Sequence, residues 1–248
     1  TTIYSCGLGI LKKINFNYSE DIFIKIIVGY TFIGTIAVIF HFFFKINNIF
    51  SILIISISII FFLTHYLKDY KKDFFIFVFL LVLISPILFA YSDHPIDSNM
   101  YHHPYISYLK AEKIVLGIAN IQFRFGHVSF LQFVQAALAN DYLHSITLSS
   151  INIIIYLSFI LFASKNILTQ RKLSFSFLAT ILISGFVLIK LARYREFGND
   201  LIPLLLCSYF FIKILDSVNK KTYYSSNALN VFIIFFTLML VHKISYIF

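Results

Sequence analysis

Long apolar runs, separated by short clusters of charged and turn-forming residues, make up most of the chain. An α-helix needs about 20 predominantly apolar residues to cross the hydrocarbon core of a bilayer. The runs near that length are 26–44, 49–67, 74–91, 145–163, 173–190, 201–215 and the run from about 228 to the last residue. The pattern predicts an all-α protein, a polytopic transmembrane helical bundle of about seven spans. We expect residues 1–248 to form one transmembrane domain, the N-terminal part of a longer protein.

Residues 128–139 form a further apolar run, but this run is too short to cross a bilayer and contains Gln132 and Gln135. The length predicts a half-membrane or interfacial helix rather than an eighth span. Because amide side chains find hydrogen-bond partners between membrane helices, we expect both glutamines to bond to neighbouring helices.

The composition agrees with a surface that is covered by lipid. Of the 248 residues, 59% are hydrophobic and 12% are charged, whereas about a quarter of the residues in a soluble domain are charged. The formal net charge is +9, but the cations stand in short loops between apolar runs. Membrane topology explains such a distribution better than nucleic-acid binding does. We therefore expect membrane lipid as a partner and no nucleic acid.

The distribution of Lys and Arg predicts the orientation, because cytoplasmic loops are enriched in both. With the N-terminus in the cytoplasm and 128–139 not crossing, the cytoplasmic segments hold eleven: Lys12, Lys13, Lys25, Lys68, Lys71, Lys72, Lys165, Arg171, Lys172, Lys220 and Lys221. The outer segments hold six: Lys45, Lys110, Lys113, Arg124, Arg193 and Arg195. The predicted protein is a multi-pass integral membrane protein whose long polar segment 92–127 is an extracytoplasmic loop.

This long loop contains a carboxylate followed closely by two imidazoles, Asp97, His102 and His103. Such a group can bind a divalent metal, transfer protons, or activate a sugar hydroxyl as a base. A solvated loop with turn-forming Asp and Pro residues is the plainer alternative, and spacing alone leaves both open. Residues 105–113 follow with apolar side chains at helical spacing, which predicts an interfacial helix on the membrane surface.

Several basic residues on the predicted outer side are candidates for binding phosphate. Arg124 stands between two glycines, and a guanidinium can bind phosphate through two parallel hydrogen bonds. Lys243 lies inside the last apolar run, where a lysine usually faces a cavity or a partner. The short loop 191–200 adds Arg193 and Arg195. Pairing with lipid headgroups, a charged loop, or snorkelling of Lys243 to the interface are the simpler explanations.

At these residues the sequence resembles an uncharacterised bacterial multi-spanning membrane protein family. Its outer loop follows the pattern D-x3-YH, GLAN and R-F/L-G, with a K-L/I-S element in a late span. The matching segments are Asp97-x3-Tyr101-His102, Gly117-Ile-Ala-Asn120, Arg124-Phe-Gly126 and Lys243-Ile-Ser245. That family is similar in turn to the GT-C superfamily of membrane glycosyltransferases, which use polyprenyl-phosphate sugar donors on the outer side.

The resemblance implies roles for the outer-loop residues. Asp97, with Asp93 as its substitute, would be catalytic, and His102 or His103 would orient Asp97 or bind a metal with it. Three residues separate Asp93 from Asp97, so a cofactor such as Mg or Mn is left open. The second outer loop would supply secondary acidic residues, Glu196 and Asp200.

The leading hypothesis is therefore a GT-C-like glycosyltransferase of the bacterial inner membrane that assembles cell-surface polysaccharide or glycolipid. Asp97 would deprotonate a glycan or lipid acceptor. Arg124 and Lys243, assisted by Arg193 and Arg195, would hold the donor phosphate. A transporter or flippase of lipid-linked sugars and a non-catalytic membrane subunit are the alternatives.

Overall fold

The computed structural model of the protein describes residues 2–13, 21–66, 75, 76, 78, 79, 82, 83, 98–120, 125, 130–139, 144–170, 173–189, 201–220, 233 and 237. This part of the chain is helical and contains no strand. Its α-helices are α1 (Thr2–Lys13), α2 (Ile22–His41), α3 (Asn48–Phe61), α4 (His103–Ala111), α5 (Phe130–Leu138), α6 (His144–Thr169), α7 (Phe175–Ile189) and α8 (Leu201–Lys220).

Three of these helices are long and apolar enough to cross a membrane: Ile22–His41, Ser150–Thr169 and Leu201–Asn219. The predictions of an all-α fold and of membrane-spanning helices are confirmed to that extent. Two shorter apolar helices, Asn48–Thr64 and Phe175–Ile189, fall in two further predicted runs. The predicted runs 74–91 and from 228 onward lie mostly outside the described residues, so the total of about seven spans stays a prediction.

The shorter helices α3 and α7 bury polar residues and expose apolar ones. On α7, Ser176, Thr180 and Ser184 are buried at intervals of four residues, while Leu182 on the outer face is 73% exposed. On α3, Ser51 and Ser58 are buried together with Phe50 and Ile54, while Ile52 and Ile60 are exposed. A soluble helix has the opposite arrangement, because its apolar stripe faces the core. Polar contacts inside and apolar groups outside are what a lipid-facing helix requires.

Helix α2 begins at an N-cap and occupies the centre of the bundle. The Asp21 carboxylate accepts a hydrogen bond from the Phe23 backbone N–H at 3.0 Å, which satisfies one of the unpaired donors of the first turn. The apolar pattern predicts a start at residue 26, whereas the helix begins at Ile22. Lys25 interrupts the apolar run in the sequence, but it lies fully buried inside the helix.

Helix α1 packs antiparallel along the first half of α2, and this pairing was not predicted. A Cβ atom added to Gly7 would collide with the carbonyl oxygen of Lys25, and one added to Gly29 would collide with that of Ile3. The backbones therefore approach as closely as small residues allow. Lys25, which the topology prediction places in a cytoplasmic segment, has its ammonium 5.6 Å from the centre of the Tyr4 ring.

The two ends of α2 contact different parts of the chain. At its N-terminal end, Asp21 accepts a hydrogen bond from the Tyr209 hydroxyl of α8 at 3.1 Å. At its C-terminal end, the backbone N–H of Ile114 donates to the carbonyl oxygen of His41 at 3.2 Å. Helix α4 and the loop that follows it therefore lie at the opposite end of the bundle from the α2–α8 contact. The candidate site is built around this C-terminal end.

Candidate functional site

A short helix, α5, lies beside the second half of α2. The ring of Phe130, its first residue, fills the space left by Gly34 and stands 5.5 Å from the Tyr30 ring. Phe133, one turn later, stands 5.7 Å from the His41 ring at the end of α2. The nine residues of α5 rise about 13 Å, less than half of the roughly 30 Å that a span must cover. A short helix is thus present where the sequence predicts one.

A buried hydrogen bond joins α5 to the residue that precedes α4. The Gln132 amide nitrogen lies 3.0 Å from Nδ1 of His102, and the two side chains are 3% and 4% exposed. An amide nitrogen can donate but not accept, so Nδ1 is placed as the acceptor in this contact. The Tyr101 ring stands 4.2 Å from the His102 ring. His102 is therefore held on more than one side.

The buried face of α5 carries a second amide. Gln135 lies one turn after Gln132 and is 1% exposed, so both glutamines of the predicted short helix point into the protein. The prediction that they bond to neighbouring helices is met for Gln132 by His102. Because 30 residues separate Gln132 and His102 in sequence, no local pattern indicates the pairing.

Helix α4 places its apolar face against the protein. Tyr105, Ile106 and Leu109 are buried, and Leu109 accepts a backbone hydrogen bond from Ile46 at 3.0 Å. The Lys110 ammonium donates to the carbonyl oxygen of Ala139 at 3.3 Å, which satisfies an acceptor at the C-terminal end of α5. The helix predicted for 105–113 is present, and its apolar residues pack on other helices. Its position relative to the membrane surface stays a prediction.

One tyrosine side chain, that of Tyr108, forms two hydrogen bonds with the loop after α4. The Tyr108 hydroxyl accepts a hydrogen bond from the Val115 N–H at 2.8 Å and donates to the Lys113 carbonyl oxygen at 3.0 Å. Burial raises the pKa of Tyr108; the Val115 N–H opposes the rise and the charge of Glu112 adds to it. The phenol therefore stays protonated and able to donate. Beyond it the chain turns at Gly117, whose φ of +83° suits glycine best.

His41 is enclosed beneath this loop. It is 1% exposed, and its ring meets the rings of Tyr108 and Phe133 edge to face. Within the described chain neither ring nitrogen makes a hydrogen bond of good geometry, although the Phe44 backbone lies beside the ring. The sequence predicts an interfacial histidine at the end of a span. Its burial follows from the folding of residues 112–115 over the helix end, which no local pattern shows.

The opposite end of the bundle holds a polar cluster that the sequence analysis does not single out. The Lys213 ammonium lies 3.6 Å from the Asp21 carboxylate and 5.1 Å from the centre of the Phe162 ring. Nearby, Gln170 donates hydrogen bonds to Asp216 at 3.4 Å and to Ser176 at 3.1 Å. These contacts join α2, α6, α7 and α8 by side-chain hydrogen bonds and one ion pair.

Of the predicted site residues, the structure describes His102 and His103. The others lie outside the described residues: Asp93, Asp97, Arg124, Arg193, Arg195, Glu196, Asp200 and Lys243. His103 begins α4 and is partly exposed, whereas the adjacent His102 is buried. The two imidazoles that the sequence treats as equivalent therefore have different surroundings.

The described surroundings of His102 bear on the predicted metal site. A metal-binding histidine presents an unprotonated nitrogen to the ion and donates its other N–H to an outer partner. In His102, Nδ1 lies within hydrogen-bond distance of the Gln132 amide nitrogen. In the described part of the chain, no three His, Cys, Asp or Glu side chains are grouped to hold a metal ion.

Taken together, the described residues define an all-helical protein with three helices able to span a membrane and a short helix that holds a buried histidine. The chain belongs to a family described as a domain of unknown function (DUF8201), whose model matches residues 1–248. No curated protein and no solved structure matches it.

Proposed function

We propose that the protein is a membrane glycosyltransferase of the GT-C type. It transfers a sugar from a polyprenyl-phosphate donor to a glycan or lipid acceptor on the extracytoplasmic face of the bacterial inner membrane. In this proposal the chain is a polytopic bundle of about seven spans with its N-terminus in the cytoplasm. Helix α5 is the half-membrane helix, and segment 92–127 is the outer loop that carries the catalytic groups.

The observation that supports the proposal best is the buried contact between His102 and Gln132. His102 belongs to the D-x3-YH segment on which the resemblance to glycosyltransferases rests, and a side chain of a docked helix fixes it at 3.0 Å. Reactive groups need such fixed positions, because small displacements slow the reaction strongly. A merely solvated loop would leave this histidine exposed, whereas it is 4% exposed.

In the proposed reaction, Asp97 removes the proton of an acceptor hydroxyl as its oxygen attacks the anomeric carbon of the donor sugar. The bond between that carbon and the phosphate oxygen breaks, and polyprenyl phosphate leaves. Arg124 and Lys243 hold the phosphate and stabilise the charge that develops on it. Auxiliary roles fall to residues of the other outer loop: Arg193 and Arg195 for phosphate, and Glu196 and Asp200 as secondary acids.

A transfer assay in membranes with a polyprenyl-linked sugar tests the assignment. Asp97→Asn is expected to lower transfer by at least about 100-fold, the scale of a general base, and Asp93 is the substitute base. Glu112→Gln is the matched control, since Glu112 is an exposed carboxylate at the end of α4 and should leave transfer unchanged. Full activity in both Asp97→Asn and Asp93→Asn would show that neither carboxylate is the base.

A transporter or flippase of lipid-linked sugars is the second candidate, and one observation favours it. Lys25 is fully buried in α2 and Lys213 lies within α8, and transporters characteristically hold charges inside spanning segments. A flippase would move a fluorescent lipid-linked sugar across proteoliposomes without consuming it. Consumption with release of polyprenyl phosphate would instead support the transferase.

A further inference from the structure

Three consecutive phenylalanine side chains are exposed in the turn that joins α2 to α3. Phe42, Phe43 and Phe44 are between 56% and 68% exposed, and the turn ends where Asn47 caps α3. A surface in contact with water seldom carries so many adjacent aromatic side chains unless it binds an apolar partner. The turn therefore requires a partner, and its position in the bundle indicates which one.

The turn lies at the depth where a membrane-spanning α2 leaves the hydrocarbon. The 20 residues of α2 rise about 30 Å, which matches the thickness of the hydrocarbon core, and Phe42 is the next residue. The exposed apolar face of α3 continues this surface, beginning with Ile49 and Ile52. Because α3 has the arrangement of a lipid-facing helix, lipid is the partner that covers the adjoining phenylalanines as well.

Two exposed lysines border the phenylalanines. Lys45 directly follows Phe44, and Lys113 lies in the loop after α4. Two backbone hydrogen bonds hold the turn and this loop together: the Ile46 N–H donates to a carbonyl oxygen of α4 at 3.0 Å, and the Ile114 N–H donates to the carbonyl oxygen of the last residue of α2 at 3.2 Å. Each lysine directly precedes one of these donors. Within the described ranges neither ammonium has an ion-pair partner, so both can meet an anion from outside the protein.

We infer that Phe42, Phe43, Phe44, Lys45 and Lys113 form a binding surface for anionic phospholipid. The three phenyl rings insert at the boundary of the acyl chains, and the two ammoniums bind headgroup phosphates. Apolar rings and lysines side by side are the composition of segments that lie in the membrane interface.

The charge of this surface favours an anionic lipid over a second copy of the chain. The exposed charged side chains of the turn and the loop are Lys45, Lys113 and Glu112, which leaves an excess of positive charge. A symmetric contact with a second copy would bring like charges together, which costs free energy. The inference goes beyond sugar transfer and holds whether the protein is an enzyme or a transporter.

Depth-dependent fluorescence quenching tests the position of the turn. The sequence contains no tryptophan, so Phe43→Trp introduces a single reporter into the full chain, which is placed in nanodiscs. Phospholipid that is spin-labelled near the headgroup should quench this reporter more strongly than phospholipid labelled near the end of the acyl chain. Phe211→Trp is the matched control, since Phe211 is an exposed phenylalanine at the middle of α8. The deep label should quench it more strongly.

Absence of quenching by either labelled lipid in Phe43→Trp would overturn the inference. Quenching by acrylamide in its place would show that the turn faces water. Protection from lipid labels and acrylamide alike would show that protein covers it, such as a second copy of the chain. Should Phe43→Trp not fold, Phe42→Trp reports on the same turn.

Brominated lipids then test the two lysines in the Phe43→Trp protein. Brominated phosphatidylglycerol should quench the reporter more strongly than brominated phosphatidylcholine. Lys45→Gln and Lys113→Gln should each lower this preference by about fivefold, the effect of one cation near an anionic surface. The matched control is Lys165→Gln, which removes an exposed lysine near Gln170 at the opposite end of the bundle and should leave the preference unchanged.

Equal quenching by the two brominated lipids, with both lysines present, would overturn the binding of headgroup phosphate. A preference that survives the double lysine variant would overturn the assignment to Lys45 and Lys113. None of these measurements depends on sugar transfer. A protein that transfers no sugar but shows the expected quenching would therefore disprove the proposed function and leave the lipid-binding surface in place.

Discussion

His41 is a buried polar side chain that the surrounding helices do not satisfy. Within the described chain neither ring nitrogen has a hydrogen-bond partner, and a buried unsatisfied polar group costs about 1–3 kcal/mol. His41→Phe keeps an aromatic ring against Tyr108 and Phe133 and removes the polar atoms. We expect the variant to be more stable by about that amount, with a thermal midpoint higher by about 2–4 °C for each kcal/mol, measured in detergent by fluorescence.

His41→Ala is the comparison, because it removes the polar atoms and the ring contacts together. We expect it to lower the midpoint through the cavity that it leaves. A loss of stability in His41→Phe as large as that in His41→Ala would contradict the prediction. The imidazole would then be making a polar interaction that stabilises the fold.

At the same scale, the glutamines and histidines show which side-chain contacts can be predicted from the sequence and which cannot. The presence of Gln132 and Gln135 in an apolar run predicts buried hydrogen bonds, since lipid cannot satisfy an amide. The identity of the partner, His102, depends on how α4 and α5 dock, which no spacing encodes. For His41 the sequence predicts the wrong environment. Its place at the end of an apolar run suggests an interface, and the loop that buries it is a tertiary feature.

At the scale of elements, the α1–α2 pairing depends on two glycines. Because an added Cβ at Gly7 or Gly29 would meet backbone carbonyl oxygens, and backbone atoms of packed helices cannot rotate away, Gly7→Ala and Gly29→Ala must separate the helices. We expect each to destabilise the protein by about 1–3 kcal/mol or more, seen as a lower thermal midpoint.

Gly185 is the matched control for these substitutions. It also lies inside an apolar helix, α7, but a Cβ added there meets nothing within 4 Å. Gly185→Ala should therefore stabilise by up to about 1 kcal/mol, the difference in helix propensity between the two residues. Equal stabilities of Gly7→Ala and Gly185→Ala would contradict the close approach of α1 and α2.

The helices also show which elements the apolar pattern can predict. Apolar runs of about 15 to 20 residues locate α2, α6 and α8, because crossing a bilayer constrains both length and composition. Helix α1 has 12 residues, too few for a span, and it is buried because it pairs with α2. The start of α2 differs from the prediction because Asp21 caps the helix and because Lys25 is accommodated beside Tyr4.

At the scale of the whole molecule, exposed residues can be assigned to one end of α2 or to the other. Leu116, 90% exposed, lies in the loop bonded to the C-terminal end of α2. Leu173, 83% exposed, lies in the loop beside Gln170, at the end where α8 contacts Asp21. If α2 crosses the membrane, these two residues stand on opposite sides of it. Their placement on opposite sides follows from the helix packing and does not depend on whether the N-terminus is cytoplasmic.

Cysteine labelling tests two things together: whether Leu116 and Leu173 lie on opposite sides of the membrane, and which of them faces the cytoplasm. In a background with Cys6 and Cys207 replaced, Leu116→Cys should react with an impermeant maleimide in intact cells, and Leu173→Cys only after the membrane is permeabilised. Labelling of both in intact cells would contradict the bundle. The reverse pattern would keep the bundle but place α4, α5 and His102 at the cytoplasmic face. A donor phosphate in the outer leaflet could not then meet the 92–127 segment, and the extracytoplasmic transferase would have to be abandoned while the contact between Gln132 and His102 remained.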